Sequence, residues 1–200
     1  MSTSQVQVVN LALTKLGQDR LISISDDVEA GRIMRSLWDM TVDTVLADHP
    51  WKFATLRTTL PALADAPAYE WSLQYRLPDS CLRLIQVGDS WVFYTMDTPF
   101  FTLEGGEDGG QYILTDEAAP LRVRYVQRVT NVGLWPPLFA RAVAMQLAAD
   151  SCEKITQSNS KYDAAVAAYE LAIRRAKRAS AIEMPPAQLP ESSWLAARGG

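Results

Sequence analysis

Histidine is nearly absent from this chain: His49 is the only one in 200 residues. A single imidazole cannot supply a two-histidine zinc motif, and any nucleophile–histidine relay would have to be built around this one residue. His49 lies between Asp48 and Pro50 at the end of a helical pattern, which suits a residue facing a helix C-terminus better than a catalytic base. Cysteine is scarce as well. Cys81 and Cys152 lie far apart, and neither has a partner at metal-ligand spacing. Cys81 opens an apolar run and Cys152 falls in an Ala/Leu-rich helical pattern, so both read as small buried hydrophobes. Long apolar runs are missing, so no segment is expected to span a membrane. The opening residues Met1-Ser2-Thr3-Ser4-Gln5 lack a basic region followed by an apolar one, so no signal peptide and a cytoplasmic site of synthesis are expected. An excess of positive charge is also missing. A net charge of −4 argues against a protein whose task is to grip nucleic acid through its phosphates, though not against one that nucleic acid passes by.

What is present is the composition of a soluble globular protein, 48% hydrophobic and 21% charged. A chain of this length buries roughly 70% of its unfolded surface and needs no covalent staples. Ser4 and Gln7 form a capping-box pattern ahead of Val6, Val9, Leu13 and Leu16, and Gly17 stands where a glycine ends a helix. A second helix is expected to start near Ser25, Asp26 and Asp27, with Glu29 in its first turn. Its apolar stripe runs from Ala30 through Met34, Trp38 and Val45 to Leu46, and Pro50 stops it.

The period then changes. Segments Phe53–Leu60, Tyr69–Leu77, Leu82–Val87, Trp91–Tyr94, Phe100–Glu104, Gln111–Leu114 and Leu121–Gln127 read as short strands of one antiparallel sheet, with Gly105–Gly110 as a flexible hairpin tip. Helix returns at Trp135-Pro136-Pro137 and runs to about Thr156; a last helix is expected from Lys161 to Glu183. Three prolines without a periodic stripe mark the remainder as an extended arm. The expected architecture is therefore α+β: a four-helix bundle from residues 1–50 and 132–184, an inserted antiparallel β lobe at 51–131, and a C-terminal arm at 185–200.

Chemistry-bearing patterns are few. Asp26, Asp27 and Glu29 cluster where helix-start acids belong, and Asp150 and Glu153 lie three apart on a helical face. A glycosidase-type pair would need two such carboxyls flanking a cleft. The glycine run lacks the Lys-Ser/Thr of a phosphate-binding loop, and there is no Gly-x-Ser-x-Gly elbow. Arg174, Arg175, Lys177 and Arg178 gather late in the last helix. They suit a solvated helix end, or contact with an acidic partner or DNA phosphates. Neither a catalytic residue, a metal ligand nor a cofactor site is expected.

One resemblance runs from about residue 5 to the end. The segments that carry it are Leu11–Gly17, Ile24–Asp27 with Glu29-Ala30, His49-Pro50-Trp51-Lys52-Phe53-Ala54 with Arg57, Tyr75–Arg83, Leu114-Thr115-Asp116, Arg124-Tyr125 with Val129-Thr130, Pro137-Leu138-Phe139 and Ser193–Arg198. In order and spacing they resemble the tail tubular protein A family, the head–tail adaptors of tailed phages. The resemblance implies a structural virion protein at the head–tail junction, made in the host cytoplasm. It would form a ring, twelvefold in the family, that joins the portal protein to the tail nozzle or tail tube and continues the DNA channel. It further implies that the arm binds the portal, with Leu189, Trp194, Leu195 and Arg198 as the contact residues. DNA would pass without sequence-specific binding, and an acidic ring suits such a conduit. Two alternatives stay open: another neck component such as the stopper ring, or a tail-associated cell-wall hydrolase working through Asp150 and Glu153.

Overall fold

The computed structural model describes residues 3–91 and 100–182 of the chain. Within them the fold is mixed α+β, with four helices and two small antiparallel sheets. The Leu189, Trp194, Leu195 and Arg198 contacts expected of the arm lie outside the described residues, as do residues 92–94 of the expected Trp91–Tyr94 strand.

Helix α1 (Gln5–Leu16) starts on the expected capping box. The Ser4 hydroxyl accepts the Gln7 amide at 3.3 Å, and the Gln7 side chain accepts the Ser4 amide at 2.9 Å, so two otherwise orphaned donors are satisfied. Gly17 ends the helix at φ +73°, a left-handed conformation that favours glycine. The ammonium of Lys161 then donates to the Leu16 carbonyl at 2.8 Å, placing a cation on the negative helix end.

Helix α2 (Glu29–Ala47) begins later than its acidic cluster suggests. The Asp26 carboxylate accepts the amides of Ile22 and Ser23 at 2.7 and 3.0 Å, so it closes the preceding turn and does not cap the helix. Val28 occupies the N-cap position without a side-chain cap. Asp27 is taken by Arg32 at 2.6 Å.

Helix α3 (Pro137–Thr156) starts at a proline, whose missing N–H costs nothing there. It is buried over most of its circumference, from Phe139 and Ala140 to Ser151 and Cys152. A helix that is apolar nearly all round belongs at the centre. Accordingly α1, α2 and α4 (Asn159–Ile182) all pack on α3. Alanines at positions 142, 144, 148 and 149 of α3, and at 165, 172 and 176 of α4, are buried, which lets the helices approach closely.

The strands form two sheets where one is expected. The first has the order β1 (Thr55–Leu60), β7 (Leu121–Gln127), β3 (Cys81–Val87), β4 (Ser90–Trp91); the second has the order β2 (Leu73–Arg76), β6 (Gln111–Thr115), β5 (Phe101–Gly105). Strand alternation specifies which face is buried, not which partner is chosen. Pro61 and Pro67 interrupt the chain after β1, and Glu70 takes a positive φ of 67°, so the expected Tyr69–Leu77 strand shortens to β2 and pairs with β6. Phe53 and its neighbours Lys52 and Ala54 turn as a short 3₁₀ segment before β1. Inner faces of the two sheets share one core, which includes Tyr75 and Ile113 from one sheet and Leu84, Leu121, Val123 and Tyr125 from the other. The glycine-rich tip joins β5 to β6 as a turn closed by the Gly106 amide on the Gly110 carbonyl at 2.8 Å, and Arg76 pairs with Asp108 there at 3.2 Å.

Helices and sheets meet in a single aromatic core. Trp51, Phe53 and Trp135 each meet Phe139 edge to face with centroids 4.8 to 5.2 Å apart, Phe53 lies tilted to Trp51 at 6.5 Å, and Trp38 lies parallel on Trp135 at 5.9 Å. Both buried indoles are satisfied: Trp51 donates to the Val45 carbonyl at 2.8 Å and Trp135 to Val129 at 3.1 Å. Ile85, Val126 and Val129 join the same core from the strand side.

Phe139 is 1% exposed at the centre of this cluster. Replacing it with alanine is expected to lower unfolding stability by about 3–5 kcal/mol. Urea unfolding followed by tryptophan fluorescence measures this, and a loss under about 1 kcal/mol would mean that the cluster does not hold the two halves together.

Candidate functional site

Charged and titratable groups gather where α2 ends, against the late turns of α4. From β3, Arg83 donates to the carbonyls of Ala47 and Asp48 at 3.0 and 3.2 Å, capping α2 with a cation. Lys177 of α4 pairs with Asp48 at 2.7 Å. The His49 ring lies against Trp51, centroids 4.9 Å apart, at the same corner. Burial lowers its pKa below 6.5; the charges of Lys177, Arg83 and Lys52 lower it further, while Asp48 opposes them. His49 is therefore half-buried beside the aromatic core, with its neutral form favoured.

The basic residues of α4 divide by role. Lys177 is absorbed by Asp48, and Arg174 turns back on its own helix, donating to the Glu170 carbonyl at 3.0 Å and lying 3.9 Å from its carboxylate. Arg175 and Arg178 are exposed. The structure thus brings these residues together on one helix without arranging them around a cleft.

Asp150 and Glu153 do line a cleft, of about 450 Å³, with Gln146, Tyr162 and Tyr169. Both oxygens of Asp150 are already used: one accepts the Thr41 hydroxyl at 2.9 Å and the other the Gln146 amide at 2.7 Å. Tyr169 is pushed up to about 12, first by burial and then by Asp48 and Asp150. The Thr41 bond ties α2 to α3 through Asp150. Among the described residues no group of three or more His, Cys, Asp or Glu side chains could hold a metal ion.

A cationic strip is brought together only by the fold. In the β1–β7 register Arg57 stands directly opposite Arg124, and Thr59 opposite Arg122, all on the sheet face away from the lobe's core. Gln86 joins from β3 because a bulge between Leu84 and Gln86 turns Ile85 toward the helices. These residues line an open depression of about 610 Å³, in which Arg122 is held by Asp89 at 3.0 Å. The pKa of Arg124 is lowered, first by burial and then by Arg57. The alternation of Arg122 and Arg124 is visible in the sequence, but their juxtaposition with Arg57 is not, because it depends on strand pairing.

A second open cleft, of about 470 Å³, lies between the 63–71 segment and the β5–β6 hairpin and carries Asp65, Glu70, Glu104, Glu107 and Asp108. Beside it the indole N–H of Trp71 is buried without a hydrogen-bond partner among the described residues. Neither cysteine enters any of these sites. Cys152 is fully buried and Cys81 is half-buried, its thiol pushed up to about 11 by burial against a weaker opposing effect of the Arg83 amide. No helix is long and apolar enough to cross a membrane among the described residues. No protein-family model matches the chain, and no curated protein matches it.

Two measurements check this description. His49 is the only histidine, so its single imidazole resonance reports its titration directly. Its midpoint is expected below 6.5. Because the folded pKa lies below the unfolded one, the contribution of His49 is fully present above pH ~6.5 and is lost as pH falls from there through the folded pKa. A midpoint above 6.5 would contradict the burial. For Cys81, a shift from 9.0 to about 11 leaves the thiolate roughly 100-fold rarer near pH 8. Thiol reagents should label the native protein slowly and both cysteines rapidly once it is unfolded; fast native labelling would refute this.

Proposed function

We propose that this chain is a structural joining subunit of a tailed-phage neck, the head–tail adaptor, and not an enzyme. The observation that carries this reading is where the resembling segments meet. His49-Pro50-Trp51-Lys52-Phe53, Arg83, Val129 and Pro137-Leu138-Phe139 are scattered over ninety residues of sequence, yet they converge on the junction of helices and β lobe. A shared pattern concentrated at the joint of a fold supports a shared architecture. On this reading the four helices act as a bundle, the β lobe meets neighbouring subunits and the tail, and residues 185–200 reach the portal.

The arm would anchor through Leu189, Trp194 and Leu195, with Trp194 burying on the order of 200 Å² and Arg198 pairing with a carboxylate. One arm binds weakly because ordering it costs entropy, and repetition around a ring makes the joint strong. Arg175 and Arg178, exposed on the helix that leads into the arm, suit an acidic surface of the portal. The acidic sum of the subunit suits a ring through which DNA passes without adhering. The hydrolase alternative is weakened by Asp150, which already accepts from Thr41 of α2 and from Gln146 of its own helix.

Light-scattering mass of the full chain and of residues 1–184, each alone and mixed with the portal ring, tests the proposal. The full chain is expected to join the portal as a ring and the truncated chain to fail. If neither form binds, the adaptor reading fails and a lower neck component takes its place. Cell-wall clearing by the full chain that disappears in Asp150→Asn and Glu153→Gln would instead establish the hydrolase.

A further inference from the structure

The β lobe is two sheets over one core, and its two outer faces carry opposite charge. In the four-stranded sheet Leu60, Leu121, Val123 and Tyr125 belong to that core. Their alternates Arg57, Thr59, Arg122 and Arg124 stand on the other side, three arginines against the single carboxylate of Asp89. In the three-stranded sheet Tyr75 and Ile113 are in the core, so Gln74 and Tyr112 face out, with Glu104 directly across from Tyr112. The cleft on that side carries the carboxylates of Asp65, Glu70, Glu104, Glu107 and Asp108. Of these only Asp108 makes an ion pair among the described residues, with Arg76.

The acidic cleft also has the rings that suit a guanidinium. Tyr69, 77% exposed, and Trp71 line it beside the carboxylates. A guanidinium stacks on an aromatic face while its planar edge pairs with a carboxylate, a combination an ammonium matches poorly. On the opposite face Arg57 and Arg122 are exposed. The pair of Arg122 with Asp89 leaves their side chains 68% and 84% exposed, so it is weak and exchanges readily for a new carboxylate. The lobe's core lies between the two patches, so a subunit cannot neutralise itself. A second copy can, by laying its arginine face on the acidic cleft of the first. A phosphate backbone would meet the arginines but leave the carboxylates unanswered, and the net charge of −4 opposes its approach.

We propose that the outer face of the four-stranded sheet docks on the acidic cleft of a second copy, with Arg57 and Arg122 entering between Tyr69, Glu104 and Glu107. The two surfaces differ, so the contact runs head to tail: each copy offers its arginine face to one neighbour and its cleft to the other. Repeated, such a contact closes into a ring or grows as a filament, according to the rotation between copies. The proposal rests on the reading of this chain as a ring-forming subunit and names the side chains of the lateral contact. Charge pairs of this kind fix partner and register, and they weaken with salt because screening acts over ~10 Å at 0.1 M.

The test is charge exchange in the full chain, read as light-scattering mass at low and high salt. Unaltered protein is expected to exceed the 22.2 kDa of one chain at low salt and to fall toward it at high salt. Arg57→Glu with Arg122→Glu, and separately Glu104→Arg with Glu107→Arg, should each stay monomeric. Mixed in equal amounts the two variants should associate again, because every contact between unlike copies is then complementary. All four positions are exposed, and a glutamate at position 57 faces Arg124 across the strands, so both variants should fold. Thr59→Glu and Asp65→Arg, on the same two surfaces, stand in for either pair should circular dichroism show a lost fold. An unaltered chain that stays monomeric at low salt would overturn the proposal, as would folded variants that still associate or a mixture that does not. Duplex DNA binding without self-association, lost in Arg57→Glu with Arg122→Glu, would give the arginine face to nucleic acid instead. Portal binding is scored separately. Association rescued by mixing, without portal binding, sinks the adaptor reading alone; a portal-bound ring that neither exchange disturbs sinks this contact alone.

Discussion

The aromatic junction is the constraint on which the rest of the structure depends. Trp51 and Phe53 end the first helical half, Trp135 and Phe139 begin the second, and the whole β lobe is spliced between them. Edge-to-face contact of Trp51, Phe53 and Trp135 with the buried Phe139 ring fixes the two places where the chain leaves and re-enters the helices. The indole hydrogen bonds to Val45 and Val129 then tie each ring to the backbone leading into or out of that junction. With that joint set, the lobe is held rigidly enough for Arg83 and Arg128 to reach back to α2, the latter by a two-pronged pair with Asp43 at 2.6 and 2.7 Å.

Charge around this joint divides between groups that hold elements together and groups that face outward. Several ionic groups are spent on holding elements together: Lys177 on Asp48, Lys161 on the end of α1, Arg128 on Asp43. Those that remain outward lie on separate surfaces, with Arg175 and Arg178 on α4, Arg57 and Arg122 on the four-stranded sheet, and an acidic cleft beside the three-stranded one. Like charges set directly across strands, as Arg57 and Arg124 are, oppose sheet stability.

Local signals in the sequence carried far in the helices. The Ser4–Gln7 box, Gly17, Pro137 and the extent of α3 to Thr156 follow from side chains that act on their own backbone within a few residues. The start of α2 was misleading because an aspartate can accept backbone amides on either side of itself. At Asp26 the preceding turn wins over the helix. Similarly, the alternation of β7 marked Leu121, Val123 and Tyr125 as buried, but no pattern within one strand reveals that the lobe divides into two sheets.

The candidate surfaces divide along the same line. By itself the sequence determined the α+β succession of elements, the shortage of histidine and cysteine, and the basic run on α4, because each is a property of composition or of neighbours along the chain. Only the tertiary structure decided that Lys177 is consumed by Asp48, that Asp150 is held by Thr41 and Gln146, and that Arg57 faces Arg124. It alone also formed an apolar groove from Trp51, Pro137 and Ala179. The physical reason is common to all four: each depends on contacts between residues brought near by folding, and the energy of a charge or an apolar face depends on what is placed against it.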